Sequence, residues 1–247
     1  VGDSSARMQA LVASVIKTGI DGAIDVQVRR TDNSIADFAI TCQVASRKGD
    51  RVTRLRGIIQ DVSERKTAER QLERLAYFDP LTGLANRSLF QRELRKAVQR
   101  ARSHDMPAAL LLIDLDRFKE VNDSLGHGYG DELLVRVSRL LSQTVPPDQF
   151  IARLGGDEFA IILSDISGRA QIAALAETII DLINKPVQIK RSEALIGASI
   201  GIALLPDHGA NAEDLIKNAD LALYRAKDAG RGRHMFFEPE MDALMQQ

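Results

Sequence analysis

RLGGDEFAIIL, Arg153 to Leu163, sets two glycines and two acids between apolar flanks. A Gly-Gly pair tolerates the positive φ angles of a tight hairpin, so the flanks read as two strands and Gly155-Gly156 as their turn. That accounts for the glycines but leaves Asp157 and Glu158 unexplained, since adjacent carboxylates repel unless a cation or a proton stands between them. A second acid-bearing strand reads PAALLLIDLD, Pro107 to Asp116. Ala108 to Ile113 shows no polar alternation, as expected of a central strand buried on both faces, and Asp114 and Asp116 stand where it emerges. Carboxylates of this kind are hard oxygen ligands suited to Mg²⁺, which takes a few of them and completes its shell with water and substrate phosphates. An acidic hairpin tip that is merely solvated is the competing reading. Side chains alternate along a strand, so Asp157 and Glu158 can share a site only if Asp157 still lies in the turn.

Helical patterns surround these strands. DPLTGLANR, from Asp79, is turn chemistry with Pro80 and Gly83, and leads into a helix over about 88–102. Further helices are expected over about 117–124, 131–144, 170–184 and 211–229, with a strand pair over about 187–204. Helices interleaved with a mainly antiparallel sheet make an α+β sandwich. Ahead of it, Ile24, Val26 and Val28 alternate with polar residues, as do Phe38, Ile40, Cys42 and Val44, with TDNS (Thr31 to Ser34) and RKGD (Arg47 to Asp50) as turns. RVTRLRGIIQDV continues as a third strand, expected to bulge near Gly57. Ser63 is the expected N-cap of a charged helix whose Ala68, Leu72 and Leu75 form a narrow apolar seam. That helix either lies on its own domain or joins two subunits as a short parallel coiled coil.

The 247 residues, 45% hydrophobic, supply one ample core and a smaller companion unit. Lys plus Arg number 33 against 34 Asp plus Glu, a formal charge of -1. No global basic field is present to draw nucleic acid or anionic lipid, so any phosphate chemistry is local. The single cysteine, Cys42, excludes an internal disulfide and cannot alone make a zinc site. No apolar run approaches a membrane span and no secretory leader is visible, so a cytoplasmic location is expected.

DPLTGLANR, LLIDLDRFKEVNDSLGHGYGDELL, RLGGDEFAIIL, ASIGIA and ADLALYRAKDAGRGR, in this order and at matching separations over about 79–237, resemble the GGDEF diguanylate cyclases. The resemblance implies a fold similar to the catalytic palm of nucleotide cyclases and polymerases, and a reaction joining two GTP into cyclic di-GMP with release of two pyrophosphates. It implies two Mg²⁺ (or Mn²⁺) ions per half-site, held by the carboxylates of Asp114, Asp157 and Glu158 and the backbone carbonyl of Leu115. Such ions polarise the α-phosphate, favour the 3′-oxygen as nucleophile and neutralise the departing pyrophosphate. Whether Asp157 or Glu158 also removes the 3′ proton stays open. Gly155 and Gly156 are placed in the substrate-binding turn.

The same resemblance puts the β- and γ-phosphates at the backbone amides of Arg117, Phe118 and Lys119, where a helix start favours anions, with Lys227 and Arg231 on the same phosphates. By composition alone, Lys227 ahead of Gly230 is an ordinary helix C-terminus. Asn122 and Asp131 match the family's guanine pair, the carboxylate accepting from N1–H and the 2-amino group together; by composition alone, Asn122 ends one helix and Asp131 caps the next. Asp116 is expected to cap the helix after the strand rather than to ligate metal. His127 is expected in a connecting loop without chemistry, and Phe159 and Tyr224 in the core.

One domain holds one GTP, so making two bonds between two nucleotides requires a second domain facing it, and a homodimer is expected. Many family members carry Arg-x-x-Asp five residues before the GGDEF signature, where product binds and halts the enzyme. Here the window is Pro146-Pro147-Asp148-Gln149, lacking both the arginine and the aligned aspartate, so no product-inhibition site is expected. Residues of about 10–70, including KGDRVTRLRGIIQDVSERKTAERQLERLAYFD, resemble the C-terminal half of a PAS sensor domain and its exit helix. HMFFEPEMDALMQQ resembles the exit from a GGDEF domain toward an EAL phosphodiesterase domain. The expected division is a partial PAS-like domain at 1–62, a linker helix at 63–78, the cyclase domain at 79–238 and the start of a further linker at 239–247. The alternative function is a non-catalytic GTP-binding module regulating an attached EAL domain; the intact set of acidic and basic site residues favours catalysis.

Overall fold

A computed structural model of the chain describes residues 4–104, 106–189 and 192–243, in two compact units, 1–74 and 75–247. The first unit holds α1 (Ser4–Thr18), β1 (Gly22–Arg29), β2 (Ile35–Lys48) and β3 (Arg51–Asp61), and α2 (Ser63–Tyr77) follows. Its three strands form an antiparallel sheet in the order β1-β2-β3. The TDNS and RKGD turns are made by Asn33 and Gly49, both at positive φ. One sheet face is covered by α1, so closely that a methyl group at Gly22 would stand 2.6 Å from Leu11 Cδ1; Val15, Val26, Ile40 and Cys42 are buried there.

Two local expectations are corrected in this unit. The sheet irregularity lies on β2 between Val44 and Arg47, whereas Gly57 pairs in register with Cys42; glycine loosens a strand without demanding an extra residue. Ser63 does not act as a simple cap: its hydroxyl accepts the Asp37 backbone N–H at 2.9 Å, while its own N–H donates to Asp61 Oδ1. The helix it starts is tied to the sheet by Lys66–Asp25 at 2.8 Å and Arg70–Asp37 at 2.9 Å. No side chain of α2 is buried, and Leu72 and Leu75 are exposed.

The second unit runs α3 (Arg87–His104), β4 (Ala108–Asp116), α4 (Phe118–Leu125), α5 (His127–Thr144), β5 (Phe150–Gly155), β6 (Glu158–Ser164), α6 (Arg169–Ile183), β7 (Val187–Ile189), β8 (Ser192–Ala194), β9 (Gly197–Leu205), α7 (Ala212–Asp228), β10 (His234–Phe236) and α8 (Glu240–Ala243). Its central sheet has the order β10-β9-β4-β6-β5 and is antiparallel except where β10 joins β9. The α+β fold is the one expected. β4 lies at the middle and buries both faces. Ala109, Leu111, Ile113 and Leu115 share one core with residues of α4, α5 and α6, while Ala108, Leu110 and Leu112 share another with α3 and α7. This two-sided burial is why its sequence lacks alternation. Helix α7 rests directly on the sheet at Gly201, where a Cβ would stand 2.1 Å from the Ala219 carbonyl oxygen.

The segment expected as a strand pair over 187–204 is a small β7–β8 hairpin followed by β9 in the main sheet. Helix α5 begins at His127, so that residue is helical rather than in a loop. The glycines around it imitate a loop in sequence, but Gly130 is helical and packs against α4: a methyl there would stand 2.0 Å from Asn122 Oδ1, the movable end of that side chain.

Candidate active site

The register of β4 on β6 sets Asp114 directly opposite Glu158, so the two side chains leave the same face of the sheet. Asp157 lies in the turn that precedes β6, as a shared site requires, and its carbonyl accepts the Leu115 N–H at 3.3 Å. Gly155 and Gly156 have φ of 140° and 53°, the backbone freedom that this turn uses. The Leu115 side chain is buried in the core on the other face of β4, so only its backbone could serve a ligand at this sheet end.

The turn is held from behind. Arg153 donates to the Gly156 carbonyl through Nη2 at 2.8 Å and Nε at 3.1 Å, and through Nη1 to both Asp79 oxygens at 3.0 and 3.1 Å. Asp79 also accepts the Thr82 N–H and hydroxyl at 2.8 and 2.6 Å. Burial pushes the Asp79 carboxyl up, but the Thr82 hydrogen bonds and the Arg153 guanidinium outweigh it and hold the group below its ordinary value. The DPLTG turn thereby fixes the hairpin that carries Asp157 and Glu158. Arg87, at the start of α3, donates from Nε to the Leu154 carbonyl at 3.1 Å and sets Nη2 3.4 Å from Glu158 Oε2.

Asp114 is mostly buried and pairs with Lys227 Nζ at 2.7 Å. Burial pushes its carboxyl up, the Lys227 ammonium works in the opposite direction, and the charges of Asp157 and Asp116 add to the rise, which prevails. Among the described residues, no three acidic, histidine or cysteine side chains are gathered as a metal-holding group: Lys227 engages Asp114 and Arg87 engages Glu158. The donors are nonetheless all oxygen and lie at one sheet end, a chemistry that fits a hard divalent cation.

Helix α4 begins after Arg117, which has φ 63°, and no side chain caps it. The expected Asp116 cap is corrected: its carboxylate accepts instead from the Ser199 hydroxyl and the Gly232 N–H. A carboxylate at a strand end points across the sheet, and here its partners come from β9 and the turn after α7. The uncapped start of α4 adjoins a pocket of about 350 Å³ lined by Asp116, Arg117, Asn184, Gly197 and Arg231. Phe118 is buried against the core while Lys119 is exposed.

Asn122 and Asp131 both lie inside helices, α4 and α5, so neither ends nor caps one as composition suggested. The contact at Gly130 puts the Asn122 amide beside the residue preceding Asp131. Asp131 opens onto an 800 Å³ groove lined also by Leu81, Arg136, Arg139 and Leu182. In the Pro146–Gln149 window, Gln149 Oε1 accepts the Ser164 N–H at 2.7 Å and Nε2 donates to Asp148 at 2.7 Å. Sequence reasoning passed over Asp79, Arg87, Asn184 and Ser199, and weighed Arg153 only as a weak holder of product, whereas its guanidinium is bonded to Asp79 and the Gly156 carbonyl. DPLTGLANR contains the first two, but their partners are far along the chain.

Over residues 76–233 the chain matches the family described as "Diguanylate cyclase, GGDEF domain". The bifunctional diguanylate cyclase/cyclic di-GMP phosphodiesterase MucR of Pseudomonas aeruginosa is 46% identical over 180 residues, covering 73% of this chain and 26% of MucR. An uncharacterized signaling protein of Caulobacter vibrioides is 45% identical over 187 residues, covering 74% of this chain and 23% of that protein. The chain thus spans about a quarter of the length of these relatives. Among solved structures, the GGDEF domain of TpbB (YfiN) from Pseudomonas aeruginosa superposes with a TM-score of 0.67 at 37% identity, over 69% of this chain and all of that one. The coiled coil and GGDEF domain of DgcB from Caulobacter crescentus, solved with c-di-GMP, gives 0.66 at 30% identity, over 71% of this chain and 93% of that one. With the family match spanning four of the five strands of the central sheet, β4, β5, β6 and β9, and the hairpin acids, this chain belongs to the GGDEF diguanylate cyclase family.

Proposed function

We propose that the second unit is an active diguanylate cyclase, converting two GTP into one cyclic di-GMP and two pyrophosphates. The observation that carries the reading is the pairing of Asp114 with Glu158 across β4 and β6, with Asp157 in the adjoining turn. Asp114, Asp157, Glu158 and the Leu115 carbonyl would hold divalent metal, Mg²⁺ or Mn²⁺. When bound, such ions supply Lewis-acid polarisation of the α-phosphate and charge neutralisation on the leaving pyrophosphate.

The chain's own groups do the rest. The amides of Arg117, Phe118 and Lys119 at the uncapped start of α4, with Lys227 and Arg231, bind the β- and γ-phosphates. Asn122 and Asp131 select guanine over adenine through the base edge. Each 3′-oxygen attacks the α-phosphorus of the other nucleotide, an O–P bond forms, the α–β bridging bond breaks and pyrophosphate departs. Asp157 and Glu158 are the carboxylates available to take the 3′ proton. Since each unit holds one GTP, catalysis is proposed to occur across a homodimer.

The proposal includes a cytoplasmic setting, a PAS-like origin for the first unit and, in a longer parent chain, a following EAL domain. Among the described residues no helix is long and apolar enough to cross a membrane. The purely regulatory GTP-binding alternative is not favoured, because relatives across the family are named diguanylate cyclases and the chain keeps the proposed acidic and basic residues in its sequence. Comparing the wild type with Asp114→Asn, incubated with GTP and Mg²⁺ and followed by pyrophosphate release, tests the reading: release by the wild type alone is expected, and equal release by both would overturn it.

A further inference from the structure

We infer that Asp116 is a positioning residue for Arg231, pinning the turn Gly230-Arg231-Gly232 to the end of β4 so that the Arg231 guanidinium faces the phosphate pocket; this rests on the proposed GTP site. Asp116 is 5% exposed, one of few buried charged side chains among the described residues. A buried carboxylate is tolerated only when its oxygens are hydrogen-bonded. Ser199, wholly buried on β9, sets its hydroxyl 2.9 and 3.0 Å from the two oxygens. The Gly232 N–H donates to Oδ2 at 3.1 Å, and Arg231 Nε stands 3.9 Å from Oδ1.

The turn needs such an anchor. Arg231 has φ 61°, between Gly230 at 114° and Gly232 at 60°. A left-handed conformation at a residue with a side chain is costly and persists only where its surroundings fix it. On one side, the Arg231 N–H returns to the Ala226 carbonyl at 3.1 Å, closing helix α7. On the other, the bond from Gly232 to Asp116 ties the chain to the sheet. Asp116 also lines the pocket with Arg117 and Arg231, yet an anion at the wall of an anion site would repel phosphate unless its charge were otherwise engaged. The partners above engage it. With the Nε edge of Arg231 turned to Asp116, the opposite edge of the guanidinium is left for phosphate oxygens.

A double-mutant cycle in the full chain tests this, reading equilibrium binding of a non-hydrolysable GTP analogue with Mg²⁺, and of guanosine as a phosphate-free control. Asp116→Asn keeps the volume and removes the charge. It is expected to weaken the analogue by about tenfold, the loss of one charge-assisted contact, and to leave guanosine unchanged. Arg231→Met is expected to do the same, and the double variant to lose no more than Arg231→Met alone. Additive losses, or wild-type affinity in Asp116→Asn, would overturn the inference. Should Asp116→Asn fail to fold, Ser199→Ala, which removes one donor and no charge, is expected to give a smaller loss in the same direction, and none would overturn it. Amide hydrogen exchange at 230–232 gives a ligand-free reading: faster exchange in the Asp116 or Ser199 variant is expected, and unchanged exchange overturns the positioning role. A wild type that binds no GTP would instead sink the cyclase reading, with exchange still deciding the role of Asp116.

Discussion

Replacing Gly130 with alanine would put a methyl carbon 2.0 Å from Asn122 Oδ1, 2.9 Å from its Cγ and 3.1 Å from Phe118 Cζ. Three magnitudes decide the outcome. Within a helix, alanine is favoured over glycine by about 1 kcal/mol. Overpacking a buried position costs about 1–3 kcal/mol. The atoms struck first, however, belong to the far end of the Asn122 side chain, which can rotate away, so the net stability change stays within about 2 kcal/mol and the melting midpoint moves by a few degrees. Recognition has no such compensation. If Asn122 reads guanine as proposed, turning its amide away leaves a base edge unpaired at about 1–3 kcal/mol, which is about 5- to 150-fold in affinity. Titration calorimetry with GTP and with ATP, beside thermal melting, reads both quantities. The expected result is weaker GTP binding, little change for ATP and a midpoint moved by no more than a few degrees. Wild-type GTP affinity in a folded Gly130→Ala protein would refute the guanine role of Asn122, and an unfolded protein would refute the premise that Asn122 yields.

Three further outcomes are expected. Glu158→Gln should fold, because its contact with Arg87 is half exposed and worth little, while turnover falls by about 100-fold or more since an amide ligates Mg²⁺ poorly; steady-state kinetics with near-normal activity would remove Glu158 from the ligand set. Asp79→Asn should destabilise the second unit by about 3 kcal/mol, because it leaves the mostly buried Arg153 cation without its carboxylate. The folded Asp79 value is below the ordinary 3.8, so its contribution is full above that pH and is lost as the pH falls through the lower folded value; acid denaturation curves of the two proteins should converge there, and a constant gap would contradict the assignment. Cyclic di-GMP titrated without GTP should show no saturable micromolar binding at the 146–149 window, whose Gln149 amide is engaged by Ser164 and Asp148; binding that survives loss of the catalytic carboxylates would count against this.

The fold was legible where burial is two-sided or a turn is chemically marked. Ala108 to Ile113 carries its central position in an unbroken apolar run, and Gly155-Gly156 its hairpin in the need for positive φ. What escaped was set by contacts distant in sequence. Asp116 looked like a cap because only its neighbours are visible in the sequence, whereas its partners Ser199 and Gly232 lie 83 and 116 positions away. Arg153 and Asp79 are separated by 74 positions and Arg87 and Glu158 by 71, so the support behind the hairpin could not be read from either motif alone. The first turn of α5 was hidden by its flanking glycines, of which only Gly130 lies close against α4. Helix α1 was missed because Val12, Val15 and Ile16 are β-branched, a weak helical signal that packing on the sheet overrides. The candidate carboxylates were legible as residue types; the pairing of Asp114 with Glu158 became visible only in the register of β4 on β6.

The most direct measurement is the nucleotide balance of the purified chain. Radiolabelled GTP is incubated with Mg²⁺ at high protein concentration, and the nucleotides and pyrophosphate are separated and counted. The expected result is one cyclic di-GMP and two pyrophosphates for every two GTP consumed. GTP that is bound yet recovered unchanged, at every protein concentration tested, would contradict the assignment of this unit as a cyclase.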